Sequence, residues 1–164
     1  MSNIKVCKFG GTSMASADTI RQVASIINSD ETRKFIIVSA PGKRFADDIK
    51  ITDQLYKCFA AVEQRGECEL EFNAIKERFS SLARDLGVKT DYSALFEEIE
   101  SDIKKSTKPD YAASTGEYLS ALIFSEFTGY EFIDAEELVA FDENGVFNSE
   151  YTNDLVAKRL ASVK

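Results

Sequence analysis

The apolar and polar positions alternate or run together near the start of the chain and then settle into helical spacing. Ile4 to Phe9 is short, rich in β-branched residues and followed by Gly10 and Gly11, so it reads as a buried strand. Ile20, Val23, Ala24 and Ile27 then recur at helical intervals, with Ser13 or Ser16 placed to cap that helix. Lys34 to Ser39 is a continuous apolar run of the kind buried on both faces of a parallel sheet. Strand, helix and strand predict a βαβ unit with a right-handed crossover. The ligand side of such a sheet lies at the carboxyl ends of its strands.

Ala40-Pro41-Gly42-Lys43-Arg44 is a turn, ended sharply by its proline and glycine. A polar connector, Phe45 to Lys50, leads to three helical patterns. The first carries Ile51, Leu55, Phe59 and Val62 and is closed by Gly66. The second carries Phe72, Ile75, Phe79, Leu82 and Leu86 and is closed by Gly87; the third carries Leu95, Ile99 and Ile103. Pro109 opens a fourth helix through Phe127, with Gly129 after it. Tyr130 to Asp134 reads as a third strand, Val139 to Asn148 as a loop with a short strand near Phe141, and Tyr151 to Val163 as a last helix. No internal repeat and no linker divides the chain. Three or four strands are few for six helices, and the last helix should feed another parallel strand. The expectation is the N-terminal part of a longer protein; the alternative is a small complete α/β domain with a narrow sheet.

Composition narrows the function classes. The net charge of −8 argues against nucleic acid and against an anionic membrane surface, so a site for a phosphorylated ligand must be locally basic. No apolar run approaches membrane-spanning length. Cys7, Cys58 and Cys68 are odd in number and lack Cys-x-x-Cys spacing, which fits a reducing cytosol and neither a disulfide framework nor a zinc site. With no histidine in the chain, Ser-His-Asp and Cys-His mechanisms and His-based metal sites are excluded.

The candidate chemistry gathers at the predicted strand ends. Lys8-Phe9-Gly10-Gly11-Thr12-Ser13 joins a strand to a helix, where backbone N–H groups can point at an anion. It matches neither the Walker A nor the Gly-x-Gly-x-x-Gly pattern. The run reads either as a phosphate grip or as a tight connection. A lysine ending a buried strand needs an anionic partner, and that favours the grip. Ser39 either bonds a ligand or starts the turn, Lys43 and Arg44 are either site cations or a solvated turn, and Thr52 either caps a helix or meets a carboxylate. Ser114-Thr115-Gly116-Glu117 sets a glycine inside a helix, at about 1 kcal/mol relative to alanine. Close backbone approach or a ligand explains it. Glu117 then either binds an ammonium group or faces solvent.

Taken in order, Val6 to Ser13, Ile37-Val38-Ser39-Ala40, Ile51-Thr52-Asp53 and Ser114 to Glu117 resemble the N-terminal half of the aspartokinases, in the amino acid kinase superfamily. The resemblance covers nearly the whole chain. It implies a three-layer α/β/α sandwich of the carbamate kinase-like type, incomplete here, with an all-α segment between sheet elements. It also implies transfer of the γ-phosphoryl group of ATP to the side-chain carboxylate of L-aspartate, the first step toward lysine, threonine and methionine. Magnesium would be carried by the nucleotide, with no metal held by the protein itself. On this resemblance Lys8 contacts the transferring phosphoryl group and Phe9 to Ser13 complete the phosphate loop, with Gly10 and Gly11 offering N–H groups. Ser39 sits beside the reacting groups, Thr52 helps bind aspartate and Glu117 holds its α-amino group. A cytoplasmic homo-oligomer is implied at full length. The family continues into a Gly-Gly-Ser-Asp segment, a nucleotide-base pocket and ACT regulatory domains, none of which occurs here, so little or no kinase activity is expected of this chain alone. The alternatives are another amino acid kinase, acting on carbamate, acetylglutamate, glutamate or a nucleoside monophosphate, and a non-catalytic metabolite-binding or interaction module.

Overall fold

The computed structural model of the protein describes residues 4–161. They fall into two compact units, one ending at Tyr130 and one beginning at Glu131. In the first unit, β1 (Lys5–Phe9) and β2 (Arg33–Val38) pair in parallel, with Cys7 opposite Ile36 and Phe9 opposite Val38. The crossover between them is α1 (Ala17–Asn28). Ser16 rather than Ser13 caps it, in a reciprocal pair with Thr19 that satisfies two otherwise orphaned helix-end N–H groups.

Four helices follow: α2 (Ile51–Arg65), α3 (Glu69–Leu86), α4 (Ser93–Lys105) and α5 (Pro109–Thr128). Their apolar stripes, including Ile51, Leu55, Phe72, Ile75, Phe79, Ile103, Leu119 and Ile123, make one continuous core with Ile20, Val23 and Ile27 of α1. Gly66, Gly87 and Gly129 end three of the helices in the left-handed conformation, where a side chain would be strained.

The second unit is small. A 3-10 turn at Ala135–Glu137 follows Asp134, whose side chain accepts from Glu136 N–H. A single antiparallel bridge joins Phe141 to Phe147, and α6 (Ser149–Leu160) is capped by Asn148. The predicted end of this last helix at Val163 lies outside the described residues.

Two sequence expectations are corrected. Tyr130 to Asp134 is not a strand, and the described sheet has two strands rather than three or four. A β-rich segment needs a neighbouring edge to hydrogen-bond, and no described strand pairs with this one; the Tyr130 hydroxyl bonds Arg33 O instead. Nor is β2 buried on both faces. Cys7, Phe9, Ile36 and Val38 face the core, whereas Val6 is 63% exposed and Ile37 54% exposed on the opposite face. The sequence pattern is that of a two-sided strand, but only one side is covered in these residues.

Candidate functional site

Two turns at the carboxyl ends of the strands build the site. After β1, Gly10 O accepts from Ser13 N–H and Gly11 O accepts from Met14 N–H, curling the chain into a tight loop before α1. The N–H groups of Gly11 and Thr12 have no partner among the described residues. After β2, Gly42 N–H donates to Gly11 O at 2.7 Å and so ties the second turn to the first. A Cβ at Gly11 would stand 2.9 Å from Ala40 O, and one at Gly42 would stand 2.7 Å from the Gly11 carbonyl carbon. Both glycines are therefore required by backbone meeting backbone.

A cavity of about 390 Å³ opens at this junction, lined by Gly11, Thr12, Ser39, Ala40, Pro41, Gly42, Lys43, Lys50, Thr52 and Glu117. Ser39 follows the last residue of β2 and is fixed by its N–H bond to Phe9 O. Thr52 is in the first turn of α2. The residue that flanks this helix is Lys50, with no side-chain cap, so Thr52 does not serve as the cap and its hydroxyl is left for the cavity. Glu117 arrives on α5. A Cβ on the neighbouring Gly116 would lie 2.9 Å from Ala40 Cβ, 3.0 Å from Leu55 Cδ1 and 3.1 Å from Ile51 Cγ2. Close helix approach, not a ligand, thus explains this glycine, and it brings Glu117 to the cavity wall. Ser114 and Thr115 bond carbonyls one turn back on their own helix, Tyr111 O and Ala112 O, and are not on that wall.

The predicted phosphate loop divides. Gly11 and Thr12 line the cavity; Lys8, Phe9, Gly10 and Ser13 do not. Lys8 is exposed, on the uncovered face of the sheet, so the burial argument for its anionic partner does not hold in this structure. Its ammonium nevertheless reaches the turn, with Nζ 3.8 Å from where a Cβ on Gly10 would stand. Lys43, one of the two cations the sequence offered, lines the site, and so do Ala40, Pro41, Gly42 and Lys50, which sequence reasoning did not single out. The signal was there in the Pro-Gly punctuation after an apolar strand, which marks a backbone that comes close to something.

Arg44 is not among the residues that line the cavity. It grips Asp48 through its own N–H and through its guanidinium at 2.8 Å and 2.9 Å. Asp48 is 7% exposed and also pairs with Arg78 Nη1 at 3.1 Å. The Arg44 hydrogen bonds, outweighing burial and helped by the Arg78 charge, hold the Asp48 carboxyl well below the usual carboxylate range. Burial outweighs the attraction of Asp48 at Arg78 and pulls its guanidinium below its ordinary value. The sign for stability follows from the Asp48 shift. A carboxyl depressed from an ordinary value of 3.8 stabilises the fold fully above that value and loses the contribution as pH falls below it. Urea midpoints of the wild type and Asp48→Asn are expected to differ at neutral pH and to draw together only progressively as pH falls below about 4 toward the depressed Asp48 value.

A second cavity of about 380 Å³ lies between the end of α3 and the start of α4, lined by Val88, Lys89, Tyr92 and Phe96 among others. It contains none of the sequence candidates, and the nearby Glu126 is occupied by the Thr90 and Tyr92 hydroxyls.

Residues 3–162 match the family model described as "Amino acid kinase family". Aspartokinase 3 of Bacillus subtilis is 32% identical over 142 residues, which cover 81% of this chain and 31% of that protein. The chloroplastic aspartokinase 1 of Arabidopsis thaliana is 29% identical over 94% of this chain and 30% of its own length. Among solved structures, the aspartate kinase of Clostridium acetobutylicum superposes with a TM-score of 0.92 at 38% identity, over 98% of this chain and 37% of that one. Aspartokinase III of E. coli, solved with aspartate and ADP, has a TM-score of 0.77 at 23% identity, over 96% of this chain and 37% of that one, and shares the fold. The chain spans about a third of the length of the curated relatives it matches.

Proposed function

The chain belongs to the amino acid kinase family, and from that premise we propose that it supplies the phosphate and acceptor walls of an aspartate kinase. One observation carries the reading. Ser39, Thr52 and Glu117, from three separate parts of the chain, converge with Gly11, Thr12 and Gly42 on one cavity. The aspartokinase relatives support aspartate as the acceptor over carbamate, acetylglutamate or glutamate.

In this reading the free N–H groups of Gly11 and Thr12 receive phosphate oxygens, and Lys8, Lys43 and Lys50 give local positive charge in a chain of net charge −8. Glu117 takes the α-amino group of aspartate, Thr52 its carboxylate, and Ser39 orients the reacting groups. A side-chain carboxylate oxygen attacks the γ-phosphorus of ATP; the new P–O bond forms as the bond to the β,γ-bridging oxygen breaks, and ADP leaves with that electron pair. No proton has to move, so a chain without histidine loses nothing by it. Phosphoryl transfer asks mainly for positioning and electrostatic stabilisation. The cavity wall offers lysines, hydroxyls and amides, with Glu117 as its one carboxylate. This donor set suits phosphate oxygens, and a magnesium ion would come with the nucleotide and neutralise developing phosphate charge.

The remaining walls belong, in this proposal, to a longer catalytic domain. The span of about 31% of a relative's length and the uncovered apolar face at Val6 and Ile37 support it. Lysine, threonine and methionine synthesis, the cytoplasm and a homo-oligomer at full length are the corresponding setting. The test is an acceptor panel on a family-length enzyme carrying this segment, read as hydroxylamine-trapped acyl phosphate. Aspartate is expected to be the productive acceptor, and preference for carbamate or acetylglutamate would overturn the assignment. The 164-residue chain alone is expected to give no acyl phosphate above background.

A further inference from the structure

Arg78 is anomalous where it stands. It lies on the apolar face of α3 between Ile75, Phe79 and Leu82 and is 6% exposed. Burying a guanidinium is costly unless every face of it is hydrogen-bonded. Here it is well supplied. Arg78 donates to Asp48 Oδ2 at 3.1 Å, to Ile49 O at 3.0 Å, to Ala15 O at 3.5 Å and to Gly42 O. These acceptors come from the loop after β1, the turn after β2 and the residues entering α2. The same three segments supply Gly11 and Thr12, Ala40 to Lys43, and Lys50 and Thr52 to the cavity. Arg78 itself does not line it, and neither does any other residue of α3.

The geometry points to Arg78, clasped by Asp48, as a positioning residue that sets the shape of the acceptor and phosphate cavity without touching a ligand. The planar fork explains why arginine rather than lysine stands there, since one lysine ammonium cannot reach four acceptors spread over three segments. Asp48 makes the clasp two-sided: it anchors the turn through Arg44 on the solvent side and through Arg78 on the core side. The Gly42 amide, bonded to Gly11 O, is the element held in place, because its own carbonyl is one of the Arg78 acceptors.

For its ligand readout the inference rests on the proposed aspartate site, so the test has a second readout that needs no ligand. In the 164-residue chain, Arg78→Lys keeps the charge and stem but loses the fork. Amide exchange is measured at Gly42 against core amides of α3, with an L-aspartate titration alongside, well below the melting temperature. Exchange at Gly42 is expected to rise at least tenfold relative to α3, and aspartate affinity to fall at least tenfold. Asp48→Asn, which leaves the carbonyl contacts of Arg78 in place, is expected to give a smaller shift in the same direction, and serves if Arg78→Lys does not fold. A purely structural arginine would lower the melting temperature, speed all amides together and leave affinity unchanged; that outcome overturns the inference. If the wild type binds no aspartate while Gly42 still exchanges selectively, the clasp stands and the aspartate reading fails.

Discussion

Gly42→Ala is expected to separate the two turns of the site and to remove ligand binding at the cavity. Gly42 is not among the glycines with positive φ, so backbone conformation would permit alanine. Space does not. The added Cβ would lie 2.7 Å from Gly11 C, 2.8 Å from Gly11 O and 2.9 Å from Thr12 N, all backbone atoms that cannot rotate aside. Relief requires the turns to part and the Gly42 N–H bond to Gly11 O to break. Overpacking of this kind costs about 1–3 kcal/mol and the lost bond about 0.5–1.5 kcal/mol. For a domain of this size, about 2–4 °C per kcal/mol translates to a melting temperature lowered by about 3–18 °C. Calorimetric melting checks it, and an unchanged transition would show that the turns are not locked together as described.

Lys8→Ala should behave in the opposite way, with little effect on stability and a large one on turnover. The side chain is exposed, so its removal uncovers no cavity and leaves no buried partner. In a family-length enzyme carrying this segment, its ammonium would meet negative charge developing on the transferring phosphoryl group. Loss of one such electrostatic donor typically costs about 10²–10³ in kcat. Unchanged melting with kcat reduced by that factor is the expected pair of results. Near-normal turnover would remove Lys8 from the mechanism.

Legibility in the sequence followed the physics of each signal. Helices α2 to α5 were readable because their apolar stripes are long and three of them end at glycines that adopt the left-handed conformation. The β1–α1–β2 unit was readable for the same reason, from a short β-rich run on each side of an amphipathic helix. The strand proposed at Tyr130 to Asp134 failed because a strand is a relation between two segments, and hydrophobicity along one segment says nothing of its neighbour. The buried arginine went unseen for a related reason. Arg78 sits in a helix otherwise read from its apolar residues, and only folding brings Asp48, Gly42 and Ala15 to it.

The site was legible in part. Ser39, Thr52 and Glu117 are far apart in sequence and share one cavity wall, whereas the lysine of the glycine motif lies outside it. The resemblance of motifs singled out residues without saying which face each would take. Gly116 shows the difference between the two kinds of information. Its cost within a helix was readable as a sign of close approach or of a ligand, and the contacts with Ala40, Leu55 and Ile51 decide for close approach.

The central claim is that the junction of the two turns binds the acceptor amino acid. The most direct measurement is an L-aspartate titration of the isotope-labelled 164-residue chain, followed by amide chemical shifts. Saturable shifts centred on Gly11, Ser39, Gly42, Thr52 and Glu117 are expected, abolished by Glu117→Gln. Shifts centred on the α3–α4 cavity, or none at any aspartate concentration, would contradict it.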